Sequence, residues 1–284
     1  MSLEESQILK LVEKMPAFPQ AVTKVLDLTS RAECSPKELV KVIEHDPIMT
    51  VKILKLVNSA FYGLPRPINS INHGVVYIGI NTIKNLSLSI AAIGMLPKKN
   101  DIDFDMDAFL LHSLGVAAVA KRLASRLGVN EKETADYFIA GLLHDFGKVV
   151  FAQFLGEDFR KALEIADMGS ASLHSAERQV FGIDHAEIGG LLAESWKLPE
   201  SLIHSIRHHH NVADEEVESS PLLDCIYAAN MVVNSVSIGF SGNRVIEEFP
   251  ERIRQRFGVD REQLIAQLGD LSAEIEQAKA FINQ

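Results

Sequence analysis

The chain has 284 residues, 47% of them hydrophobic, and a formal charge of −10 at pH 7. That much apolar material supplies one large core or two medium ones, and two lobes are expected. The acidic balance argues against nonspecific binding to DNA or to an anionic membrane.

Cys34 and Cys225 are the only cysteines and sit in unrelated contexts, which predicts a reducing compartment and no disulfide framework. The start, MSLEESQILK, is acidic and amphipathic rather than signal-like. The apolar run Leu86 to Leu96 falls far short of the roughly 20 residues a membrane helix needs, so a cytoplasmic protein is expected.

Helix signals recur along the chain while alternating β-branched runs are nearly absent, which predicts an all-α fold. MPAFPQ at Met15 to Gln20 breaks and restarts the chain, and Val22 and Leu26 mark an apolar face beyond it. Ser35-Pro36-Lys37-Glu38 reads as a capping box and Asp46-Pro47 as the next cap. The helix from Pro47 presents Ile48, Val51, Ile53, Leu54 and Val57, a spread wide enough to predict burial on more than one side. Gly63, Pro65 and Pro67 then force a loop, with Phe61 and Tyr62 expected to pack it down, and Ser70 caps a helix through Tyr77. The stretch Leu96 to Asp101, followed by Asp103, Asp105 and Asp107, reads as a lobe boundary. The expected organisation is an N-terminal lobe over 1–100, a second helical lobe over 101–238 and a C-terminal extension over 239–284.

In the second lobe Asp107 is expected to cap a long helix, Ala108 to Leu127, that carries His112. The segment AGLLHDFGKVV, Ala140 to Val150, places His144 and Asp145 side by side. Neighbours on a regular helix point about 100° apart, so this pair converges only where the helix ends, and Gly147 supplies dihedrals that end one. Asp184 opens a helix with His185 in its first turn, and a later helix closes on Arg207-His208-His209-His210. His112, His144, His185, His209 and His210 thus sit near helix ends or on apolar helices, with Asp145 as the carboxylate among them. Neutral imidazoles with one carboxylate suit Fe, Mn, Ni or Zn better than calcium or magnesium.

Several long segments resemble the bacterial HDOD family, relatives of the HD-domain phosphohydrolases. They are MPAFPQAVTKVLDL, SPKELVKVIEHDPIMTVKILKLVNSAFYGLPRPINSINHGVVYIGINTIKNL, His112-Ser113, AGLLHDFGK, GIDHAEIGGLLAESWKLPESLIHSIRHHH and LLDCIYAANMV, spread from about Met15 to about Val233. The resemblance implies a two-lobed helical architecture and a metal centre of His112, His144, Asp145, His185 and His209, with His210 as a further candidate. It also implies that Asp145 and Lys148 are the catalytic pair of any hydrolysis, Lys148 meeting a scissile phosphate.

The family's active relatives carry a later Asp, and here that position is Asn230, which can ligate through its carbonyl oxygen but brings no charge. No GYP-like loop follows the paired histidines. These departures favour a regulatory domain that works by binding a signalling protein partner or a small ligand such as a nucleotide, with a weakened or single-metal site. The alternative is a metal-dependent phosphohydrolase acting on a nucleotide or cyclic dinucleotide.

Overall fold

The computed structural model describes residues 3–29, 35–58, 66–97, 100–102, 104–130, 133–169, 171–272 and positions 275, 276, 279 and 282. Cys34, Phe61, Tyr62, Gly63, Pro65 and Asp103 lie outside the described residues. Among the described residues the regular structure is sixteen α-helices with no strand, as the helical periodicity predicted.

The chain divides into two compact units, one of residues 1–16 with 96–271, the other of residues 17–95 with 272–284. This division differs from the three segments read from the sequence at the first helix, at the lobe boundary, which falls before 96, and in the C-terminal extension, which is split after 271. The first helix groups with the later unit because Ile8, Leu11 and Val12 are its buried face and it packs on the helices 147–154 and 185–195. Residues 239–271 group there too, because their helices pack on the helix 221–235.

The smaller unit holds α2 (Gln20–Thr29), α3 (Pro36–Glu44), α4 (Pro47–Val57), α5 (Ile71–Ile78) and α6 (Ile80–Met95). Two of the expected caps form, Asp46 accepting from the backbone N of Met49 and Ser70 from that of His73, whereas Ser35 stands at the N-cap of α3 without the side-chain cap hydrogen bond that a capping box requires. α4 departs from expectation. Met49, Ile53, Leu56 and Val57 are buried, but Ile48 and Val51 are 72% and 64% exposed. Its apolar residues cover more of the helix than its neighbours in this unit do.

The larger unit holds α1 (Glu5–Lys14), α7 (Met106–Arg126), α8 (Thr134–Leu143), α9 (Gly147–Phe154), α10 (Gly156–Asp167), α11 (Leu173–Phe181), α12 (His185–Ser195), α13 (Glu200–His208), α14 (Pro221–Ser235), α15 (Glu251–Phe257) and α16 (Arg261–Leu268). α7 is capped by Asp105, which accepts from the backbone N of Asp107 and Ala108, so the cap lies two residues before the expected Asp107. α7 is also the one described helix long and apolar enough to cross a membrane, and 67% of its apolar window is buried. It is the core helix of this unit, flanked by α8 and α14.

Small residues set that packing. A Cβ on Gly141 of α8 would lie 2.7 Å from Ala117 Cα of α7, so the two backbones approach as only Gly and Ala permit. This brings the second turn of α7, with His112, beside the end of α8, with His144. On the far side Phe151 of α9 stacks on Phe181 of α11 at 4.3 Å and on Phe159 of α10 at 5.6 Å, fixing α9 in place.

Candidate metal centre

α8 stops at Leu143 and α9 starts at Gly147, so His144, Asp145 and Phe146 form a tight turn in which Phe146 N donates to Leu143 O and Lys148 N to Asp145 O. The turn turns both His144 and Asp145 inward. Gly147 acts differently from the sequence expectation: its φ is not positive, and it opens a helix rather than ending one. What requires glycine is space. A Cβ there would sit 2.0 Å from the carbonyl oxygen of His185, so its absence lets the start of α12 press against the start of α9.

That approach delivers His185, the first residue of α12, to Asp145, with Nε2 3.0 Å from Oδ1. His209 caps the end of α13 and places Nε2 3.6 Å from the same oxygen. On the other oxygen, Oδ2, His144 Nε2 lies at 3.4 Å, His112 Nε2 at 3.6 Å and Lys148 Nζ at 2.6 Å. His210 Nε2 is 2.9 Å from His185 Nε2. His112, His144, Asp145 and His209 have no exposed surface.

Backbone carbonyls set two of the tautomers. His144 Nδ1 donates to Gly141 O and His209 Nδ1 to Ile206 O, each at 2.7 Å, which leaves both Nε2 atoms as bare acceptors aimed at Asp145. The Nε2 atoms of His112, His144 and His209 and Asp145 Oδ1 are buried without a hydrogen-bond partner. One such atom in a folded interior costs about 1–3 kcal/mol. Three imidazole nitrogens converging on one carboxylate, with an orphaned oxygen of that carboxylate among them, are explained by an ion that satisfies them together. Neighbouring donors of one ion with bonds near 2.0–2.2 Å are about 3–3.5 Å apart, which the separations above match. The residues fit a transition metal, and two donor groups share Asp145: His112 with His144, and His185 with His209 and His210.

The charges are polarised. Burial holds His112 down at about 4, against the pull of Asp145, and pushes His144 and His210 well below their ordinary value. Burial alone would raise Asp145, but His144, Lys148 and His185 hold its carboxyl well below the usual carboxylate range. Burial also opposes charge on His185, yet Glu177 and Asp145 raise it to about 9.

Glu177 is a residue that the sequence reading missed. It lies buried on α11, accepts from His185 Nδ1 at 2.5 Å and from the His185 backbone N at 2.9 Å. It thus fixes the ring and raises its basicity, the role of a carboxylate behind a metal-binding imidazole. No spacing rule points from α11 to a turn eight residues on. Two others were missed: Ser241, whose Oγ is 3.3 Å from Lys148 Nζ, and His174, whose ring stacks on His210 at 4.2 Å. Asn230 on α14 is close enough to His112 to act on its charge, and its Oδ1 accepts from Asn234 Nδ2 at 2.8 Å. Asp224, on the same helix as Asn230, is bound instead by Arg252 and Arg256 of α15 at 2.6 and 2.7 Å.

Glu177→Gln is expected to return His185 toward its ordinary range and to weaken metal binding about 10- to 100-fold, read by chelator competition. The pH dependence supplies a second reading. A raised pKa stabilises fully below the unfolded value of 6.5 and its contribution is lost as pH rises through about 9. Urea unfolding of the metal-free protein between those limits should show this slope in wild type and lose it in Glu177→Gln. An unchanged slope would remove Glu177 from the centre.

The sequence pattern of the HDOD domain family matches residues 15–212. An uncharacterized protein of Treponema pallidum (strain Nichols) is 29% identical over 94% of this chain and 51% of its own length, so the chain spans about half of that relative. The crystal structure of an HDOD domain protein of unknown function from Geobacter sulfurreducens is similar at a TM-score of 0.78 and 24% identity, covering 99% of both chains. A provisionally named phosphohydrolase from Shewanella amazonensis SB2B gives 0.75 and 25%, covering 96% of this chain and 97% of its own.

Proposed function

The chain belongs to the HDOD family, and on that premise we propose that it is a regulatory module that holds a divalent transition metal (Fe, Mn, Ni or Zn) and acts by binding a signalling protein partner rather than by turnover. The observation that carries this reading is the burial of the centre. His112, His144, Asp145 and His209 have no exposed surface and Lys148 and His185 have at most 2%, so a phosphodiester reaches Asp145 only if the protein opens. Two residues support it. Asn230 supplies no negative charge where active relatives place an Asp, and Lys148 is committed to Asp145 at 2.6 Å rather than turned toward solvent.

The alternative, phosphohydrolysis of a nucleotide or cyclic dinucleotide, is favoured by one specific observation, the three unpaired Nε2 atoms of His112, His144 and His209 around Asp145. A metal held there would act as a Lewis acid and sharpen a water nucleophile. In that chemistry Asp145 and the imidazoles hold the ion, Glu177 orients His185, and Lys148 leaves Asp145 to meet charge on the phosphoryl oxygens.

The deciding measurement is hydrolysis of nucleotides, cyclic dinucleotides and a chromogenic phosphodiester at high protein concentration with added Mn or Fe. No turnover is expected, together with near-stoichiometric metal by elemental analysis that His209→Ala loses. Turnover abolished in a folded His144→Ala protein would replace the first reading with the second. Asn230→Asp should tighten metal binding by about tenfold, since it adds a full charge to a buried site.

A further inference from the structure

We infer that Lys148 is a resident cation on the His112 and His144 side of Asp145 and excludes a metal ion from that side. The inference rests on the metal-binding reading above and concerns how much of the centre is open to an ion.

The two oxygens of Asp145 face different donor groups. Oδ1 faces His185 and His209 at 3.0 and 3.6 Å, with imidazoles alone for company. Oδ2 faces His144 and His112 at 3.4 and 3.6 Å, spacings that would equally suit an ion. That oxygen, however, already carries the Lys148 ammonium at 2.6 Å. An ion sharing Oδ2 with the two imidazoles would meet a like charge within a few ångströms in a dry interior, where such repulsion is screened least.

Lys148 is also penned in. It is 2% exposed, and its second partner is Ser241 Oγ at 3.3 Å. Ser241 belongs to the segment leaving α14, and that segment is pressed onto the start of α7. Phe240 N donates to Ala108 O at 3.0 Å, and a Cβ on Gly239 would lie 2.3 Å from the backbone N of His112. The wall behind the ammonium leaves it no room to withdraw without moving this segment.

The test compares metal content per chain in wild type and Lys148→Met, which keeps a stem of similar length without the charge, after loading with Zn and removal of the excess. Lys148→Met should carry one more ion than wild type. Equal or lower content in the variant overturns the exclusion. The wild-type count answers the separate question of the metal reading: no ion in wild type with one in the variant keeps the exclusion and removes the resident metal, while ions in wild type with no gain in the variant does the reverse. No ion in either removes both.

Because Lys148→Met leaves Asp145 without its counter-cation, it is loaded during refolding as well as after it. Wild type gives a measurement free of folding effects. The Nζ 15N resonance of Lys148 should stay protected from solvent exchange at saturating Zn, and loss of that protection would show the ammonium displaced and overturn the inference.

Discussion

Asp145→Ala is expected to lose all bound metal and to lower stability by about 3–5 kcal/mol, the cost of stranding one member of a buried ion pair. The stranded group is Lys148, with its ammonium 2.6 Å from Oδ2 and 2% exposed, so no solvent is at hand to take up the charge. Solvent screening needs no allowance here, since the carboxylate is fully buried. His185, whose Nε2 lies 3.0 Å from Oδ1, also loses an acceptor. Urea unfolding in the presence of a chelator isolates the ion-pair part of the effect from any metal contribution. An Asp145→Ala protein as stable as wild type under those conditions would mean that Lys148 finds another partner and that the centre is not built on the carboxylate.

The same residue predicts an acid limit. The Asp145 carboxyl is held well below its ordinary value of 3.8, so its contribution is complete above that pH and is lost as pH falls through the lower folded value. Wild type should therefore lose stability steeply in strong acid, and Asp145→Ala should lack that part of the slope.

Much of this was legible in the chain because the signals were local. Asp46, Ser70 and Asp184 cap the helices they precede, each accepting from a backbone N–H three residues on. The HDFGK stretch marked a helix end, and His112, His144, His185 and His209 do surround Asp145. What stayed hidden depends on contacts between distant segments. Glu177 reads as an ordinary charge on an amphipathic helix until α11 is laid against α12. Ser241 reads as a loop serine until the segment after α14 folds back over α7. His174 reads as a surface residue until its ring meets His210. The exposed Ile48 and Val51 illustrate the converse: an apolar residue announces that it can be buried, and only the neighbouring elements decide whether it is.

Gly147→Ala should be the most damaging substitution that touches no charge, costing about 3 kcal/mol or more. A glycine to alanine change inside a helix ordinarily gains up to about 1 kcal/mol, so the expected sign runs against propensity and comes from the clash alone. The added Cβ would lie 2.0 Å from His185 O, 2.7 Å from His185 C and 2.9 Å from His185 Cα. All three are backbone atoms and cannot rotate aside, so α12 must retreat from α9. His185 starts α12, and its Nε2 depends on that approach to reach Asp145 Oδ1 at 3.0 Å, so metal affinity should fall together with stability. Gly189 provides the control where α12 meets α13. Its Cβ would meet the Ile206 Cγ2 methyl at 3.0 Å, a side chain able to shift, and Gly189→Ala should cost about 1 kcal/mol with metal binding retained. Equal losses for the two variants would mean that general loosening of the packing around α12, and not the placement of His185 against Asp145, governs the centre.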